Sequence, residues 1–157
     1  MRTTLFISSL LSLFFGMFAF AGPHGGGLLI GDISGITYKY KNNARIEWDG
    51  HLGLIGDDLD GRVRRLHASK KLPFIKKPIK NVHWYWGYGL AYKRRDKIKD
   101  GNEVTQNLLG PTAPIGARVL FQDPLTEIFV ELSLSTYLAP EFEAELGGGL
   151  GIRFFFD

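Results

Sequence analysis

The chain has 157 residues, 45% of them hydrophobic and 22% charged, with 20 glycines, no cysteine and a formal net charge of +3 at pH 7. That length suits a single domain, and the absence of cysteine excludes a disulfide framework, a thiolate zinc site, a cysteine nucleophile and a lipid-anchored N-terminal Cys. The charge is too modest to call for nucleic acid as a partner.

Residues Met1 to Ala21 read as a secretory signal. Arg2 supplies a positive start, Leu5 to Phe20 is apolar apart from Ser and Gly, and Ala19-Phe20-Ala21 is a small-x-small cleavage site. The alternative is a membrane anchor, for which the run is short, because a spanning helix needs about 20 apolar residues. Gly22-Pro23-His24-Gly25-Gly26-Gly27 then forms a flexible lead-in to the domain expected over 22–157.

Beyond it, no 12-residue stretch carries a helical stripe, while period-2 alternation recurs. Short runs at Gly27–Ile30 and Ile36–Lys41 come first. In Arg45–Leu52, Ile46, Trp48 and Leu52 face one way and Arg45, Glu47, Asp49 and His51 the other. Gly61–Lys71 follows. Trp84, Trp86, Tyr88, Leu90 and Tyr92 then alternate with His83, Tyr85, Gly87, Gly89 and Ala91. Ile115–Phe121 is next, and Ile128, Val130, Leu132 and Leu134 oppose Phe129, Glu131, Ser133 and Ser135. Glu143–Phe156 closes the series, with Leu150, Ile152, Phe154 and Phe156 against Gly149, Gly151 and Arg153. Turn signals such as Asp32-Ile33-Ser34-Gly35, Asn42-Asn43, Gly56-Asp57-Asp58, Asp123-Pro124 and Ala139-Pro140 separate the runs. The expected fold is all-β: one antiparallel up-and-down barrel of about eight strands, an even count that closes without an unpaired edge.

Periodicity does not say which face is inside. A soluble lipocalin-like barrel puts bulky apolar residues within, and a membrane barrel puts them outside. Three features favour outside. The polar face is small where its opposite is bulky, at Gly87, Gly89 and Ala91 and again at Gly147, Gly149 and Gly151. The expected lumen charges balance, with Lys39, Lys41, Arg45, Arg118 and Arg153 against Glu47, Asp49, Glu131, Glu143 and Glu145, as buried charges must. Trp84, Trp86, Tyr88 and Tyr92 then become lipid-facing aromatics, and the span from Trp84 to Tyr92 covers roughly 20 Å along a membrane normal. Against this, Arg62–Lys71 carries charge on both faces, and a lipid-facing Arg or Lys costs roughly 2–4 kcal/mol at the midplane.

The C-terminal run from Gly147 to Phe156 resembles the closing strand of small bacterial outer-membrane β-barrels, whose aromatic end is read by the barrel-assembly machinery. Phe154 and Phe156, with Ile152 and Leu150 before them, match that spacing, although Asp157 follows the aromatic. The chain is also similar to a family of small exported barrels of no assigned activity, through Gly31-Asp32-Ile33-Ser34-Gly35-Ile36, Trp84-Tyr85-Trp86-Gly87-Tyr88-Gly89, Ile115-Gly116-Ala117-Arg118-Val119 and Asp123–Glu131. The resemblance implies residence in the outer membrane, with no catalytic or cofactor residues to carry over; a closed barrel has no need of a partner, so a monomer is expected.

Charge is segregated: residues 62–99 carry a net +12, 100–157 a net −7 and 22–61 a net −3. With a periplasmic N-terminus, Pro73–Lys80 falls in a periplasmic turn and Lys93–Pro114 in the longest outward loop. Lys93, Arg94, Arg95, Lys97 and Lys99 would then lie near lipopolysaccharide phosphates, or simply in a solvated loop. Other chemistry finds little support. His24, His51, His67 and His83 share no metal spacing, although His51 and His83 suit a lumen. Asp57, Asp58 and Asp60 lack a calcium loop. His67-Ala68-Ser69, which would suit a lipid A-modifying enzyme, has no carboxylate nearby to orient the His. The sequence reading is a non-catalytic outer-membrane barrel with outer-membrane lipid for a neighbour and no cofactor; the alternative is a soluble periplasmic barrel binding an apolar ligand.

Overall fold

Period-2 alternation does build the molecule, and it does so all the way round. In the computed structural model, which describes residues 22–43, 45–55, 58–69, 81–99, 102–122, 125–139 and 142–156, eight strands form one closed antiparallel barrel in sequence order. They are β1 (His24–Gly31), β2 (Gly35–Lys41), β3 (Ile46–Ile55), β4 (Asp58–Ser69), β5 (Val82–Lys99), β6 (Asn102–Gln122), β7 (Leu125–Tyr137) and β8 (Glu143–Phe156). The expected signal segment 1–21, the turn at 73–80, Asp57 and Asp157 lie outside the described residues.

The register shows how the strands tilt. Partner by partner, Gly25, Lys39, Asp49, Arg64, Gly89, Thr112, Ser135 and Glu145 form one circuit round the wall. Gly25 itself pairs with Phe155, so the circuit returns ten residues from its start. A staggered closure of this kind requires inclined strands, typically by 35–45°. All residues of this circuit share the inward-facing parity, so a row of polar and small positions winds through the interior.

The expected loop at Lys93–Pro114 is instead a β-hairpin, with β5 and β6 paired from Val82↔Val119 to Lys99↔Asn102. Pro111 and Pro114 both lie within β6, although neither can donate to a ladder. The sheet accommodates both. Pairing with β5 skips from Trp86↔Ile115 to Gly89↔Thr112, leaving Pro114 in the gap. Pairing with β7 stops at Thr112↔Ser135, beside Pro111, and resumes at Leu109↔Ala139, one residue out of register. That slip is a bulge, a common device at barrel rims.

Glycines on the inner wall make room for the large side chains that fill it. A Cβ at Gly116 would lie 2.4 Å from the Tyr85 ring, and one at Gly151 2.3 Å from the Phe129 ring. Tyr85, Phe129, Leu29, Ile33 and Leu66 form the largest apolar cluster inside. Gly116→Leu should therefore cost about 1–3 kcal/mol through overpacking. It should be read as a smaller fraction of compact, heat-modifiable protein on SDS gels; a variant as compact as the parent would show that the Tyr85 ring moves aside freely.

Candidate functional site

The interior is charged and the exterior apolar, and β4 shows the division most sharply. Val63 is 63% exposed whereas Arg64, its neighbour, is 0% exposed. Arg62 is buried as well. The two arginines that counted against a membrane wall thus point inward, leaving Arg65 as the outward-facing cation on the described part of this strand.

At the end of the barrel that carries the termini, Lys39 donates to Glu127 Oε1 at 2.7 Å and lies 3.4 Å from Glu47. Arg118 donates through Nη2 to Glu47 at 2.8 Å and through Nη1 to Glu127 at 3.1 Å. Arg153 reaches Glu127 at 2.7 Å, Asp49 at 3.1 Å and the Thr37 hydroxyl at 2.7 Å. One turn of the lumen further on, Arg64 grips both oxygens of Asp49 at 2.9 Å and also donates to Glu131, which accepts the Tyr85 hydroxyl at 2.8 Å. His51 sits between Arg64 and Arg153, with Nε2 at 2.9 and 3.0 Å from their guanidinium nitrogens. Because arginine only donates, that nitrogen accepts.

Lys39, Arg64, Arg118 and Arg153 thus face Glu47, Asp49, Glu127 and Glu131, four charges of each sign, each in an ion pair with another member. Bidentate arginine–carboxylate contacts are the strongest of such pairs and the most exacting in geometry. The sequence of pairs continues toward the far end. Arg62 binds Asp32 at 2.8 Å and Ser133 at 2.6 Å. Lys93 then binds Glu145 at 2.7 Å, and Arg95 binds Glu143 at 3.0 Å.

Of the expected lumen charges, Lys39, Glu47, Asp49, Arg118, Glu131 and Arg153 meet in this network. Glu145 lies apart, at the far end with Lys93. Lys41 sits above the Phe155 ring, 3.4 Å from its centroid, beside a vestibule of about 180 Å³ that His83 and Arg118 also line. Arg45 is not a lumen residue: it is exposed in the bend before β3. There Asn43 Oδ1 accepts the backbone N–H groups of Arg45 and Ile46, at 2.9 and 2.8 Å, so the pleat begins only after Arg45.

Lys93 and Arg95, expected to point at lipopolysaccharide, are held by interior carboxylates. Arg94 is exposed on the outer face, and the side chains of Lys97 and Lys99 lie outside the described residues. Sequence reasoning missed Arg62, Arg64 and Glu127. Glu127 was one step away, since it shares the parity of Phe129 and Glu131 on β7.

The outer wall carries Leu28, Ile30, Ile36, Val63, Leu90, Ile115, Val130, Leu132, Leu134 and Leu150, all exposed. Trp86, Tyr88 and Tyr92 are exposed on the same face, with Trp84 partly covered. Aromatic rings gather toward the terminus end. Tyr38, Tyr40 and Phe156 surround His24, and His67 stacks on Trp86 at 4.6 Å between centroids. His67 is thus engaged by aromatic rings. Phe154 and Phe156 lie partly covered on β8, paired with Gly26 and His24.

No protein-family model matches this chain, and no curated protein does. Among solved structures, the N-terminal β-barrel domain of OprF from Pseudomonas aeruginosa aligns with 87% of this chain and 100% of its own, at 14% identity and a TM-score of 0.65. The chain has the fold of that barrel. Neisserial surface protein A aligns with 85% of this chain and 94% of its own, at 12% identity and a TM-score of 0.39. The OprF barrel supports the strand count and closure; at that identity it carries no residue roles across.

Proposed function

We propose that this protein is a small integral outer-membrane barrel with a structural or surface-interaction role, that it performs no catalysis, and that it works as a monomer. One observation carries the reading: the apolar side chains are outside and the ion pairs are inside. A water-soluble protein seldom exposes more than a few hundred Å² of contiguous apolar surface, whereas an outer-membrane barrel needs an apolar band about 25 Å tall around its outside. The same observation weighs against a lipocalin-like carrier, because the space an apolar ligand would fill is occupied by Arg64, Arg153, Lys39 and their carboxylates. Eight-stranded barrels are just wide enough for side chains to fill, which also argues against an open pore.

The test is heat-modifiability on SDS gels of the outer-membrane fraction, unheated against boiled. A mobility shift in the membrane pellet is expected, and truncation before Phe156 should reduce the shifted band by removing the aromatic end of β8. Recovery in the periplasmic extract without a shift would overturn the reading. In this view Trp84, Trp86, Tyr88 and Tyr92 face lipid, Phe154 and Phe156 serve recognition by the assembly machinery, and Arg94 is, among the described side chains of the 93–99 run, the cation available to lipopolysaccharide phosphates.

A further inference from the structure

The outer wall is not uniformly filled. At Gly61, on the outward face of β4, an added Cβ would meet nothing nearer than Leu52 Cδ1, 4.0 Å away. Gly61 pairs with Leu52 on one side and Tyr92 on the other, and Tyr92 pairs in turn with Leu109. The missing side chain leaves a groove of about 360 Å³ across β3 to β6, walled by Leu52, Val63, Leu90, Tyr92 and Leu109. All five of these side chains are exposed. The groove is part of the apolar wall, so whatever fills it in a bilayer is hydrocarbon.

Its far rim is polar. Two residues beyond Tyr92, about 7 Å along the strand, Arg94 is exposed on the same face and pairs with Leu59 and Asn107. Tyr92 donates its hydroxyl to Asn107 Oδ1 at 2.8 Å, fixing the ring as the step between groove and rim. Asp96, the next outward residue, accepts from Thr105 at 2.6 Å. Among the described side chains Arg94 makes no ion pair, in contrast to Lys93 and Arg95 on either side.

We propose that the Gly61 groove and Arg94 together form a binding site for one anionic lipid, an acyl chain lying against Gly61 and a phosphate of its headgroup paired with Arg94. Charge complementarity selects the occupant: an apolar slot ending at a guanidinium with no ion-pair partner among the described side chains fits an anionic phospholipid better than a zwitterionic one. The inference rests on the membrane reading above.

The experiment uses the full barrel refolded into phosphatidylcholine vesicles with and without phosphatidylglycerol. After extraction into mild detergent, the lipids still bound are counted by native mass spectrometry. Wild type should retain one phosphatidylglycerol in preference to phosphatidylcholine. Arg94→Gln should lower that preference about fivefold, the worth of one basic side chain at a membrane surface. Gly61→Phe should fill the groove and lose retention of both lipids, whereas Val130→Phe on another strand should change neither. Equal retention by all four proteins, or retention without headgroup preference, would overturn the site. Heat-modifiability measured on the same samples separates the two readings: a barrel that inserts and shifts but holds no lipid sinks this inference alone, and one that never inserts sinks the membrane reading.

Discussion

Arg64→Met should lower the free energy of unfolding by about 3–5 kcal/mol, the usual consequence of removing one partner from a buried ion pair. The loss is that large because Arg64 serves two acids at once. Without it, among the described residues, Asp49 keeps Arg153 and His51 nearby, and Glu131 keeps the Tyr85 hydroxyl. Bulk solvent hardly reaches either carboxylate, since Asp49 and Glu131 are 2% and 5% exposed. The measurement is urea unfolding of the barrel from lipid vesicles, followed by loss of the unheated SDS-gel band. Adding Glu131→Gln to Arg64→Met should restore part of the deficit, because one uncompensated charge is then removed. Arg45→Ala, exposed and outside the network, should stay within about 0.5 kcal/mol of wild type. If Arg64→Met does as well as Arg45→Ala, the lumen pairs contribute nothing to holding the wall closed.

Val130→Arg tests the other face. Val130 lies midway along β7 on the outer wall, flanked there by Ile128 and Leu132 and paired with Leu150 on β8. In a bilayer, an arginine at that depth should cost roughly 2–4 kcal/mol, and the penalty should fall toward zero for the same change near a rim. In water the same substitution is a surface change worth about 0.5 kcal/mol at most. Unfolding of Val130→Arg from vesicles, set beside Tyr40→Arg at the end of β2, therefore reads depth directly. Two equal and small effects would mean that the wall does not sit in lipid.

Strand existence was legible in the sequence because burial on one face leaves a period of two, plainest in the runs that became β3, β5, β7 and β8. Boundaries were less so. β6 begins at Asn102, not near Ile115, because Pro111 and Pro114 look like stops to anyone who cannot see which of their neighbours must donate. β5 continues to Lys99 through a run of charge that reads as loop, since Lys93 and Arg95 have carboxylates waiting across the lumen. On β4, the apolar Leu66 shares the inward face with Arg62 and Arg64, and that mixture hid the alternation. What the sequence could not convey was pairing across the barrel. Arg64 and Glu131 are 67 residues apart and meet only because the wall is staggered and closed.

The long separations along the chain bear on how such a barrel can enter a bilayer. Arg153 and Thr37 are 116 residues apart, Arg153 and Asp49 104, Lys39 and Glu127 88, and Arg118 and Glu47 71. An open sheet of β1 to β4 would carry Lys39 without Glu127, and one of β5 to β8 would carry Arg118 and Arg153 without Glu47 and Asp49. Each half balances its own network charges, through Lys39–Glu47 and Arg64–Asp49 in the first and through Glu127 with Arg118 and Arg153 in the second, yet Glu131 would lack its arginine and the others would lack one of their partners. Only when β1 meets β8 are these cations and acids all satisfied together. Completion of the ion-pair network and closure are therefore a single event, so insertion of this chain should be all-or-none, with no stably embedded half-barrel along the way.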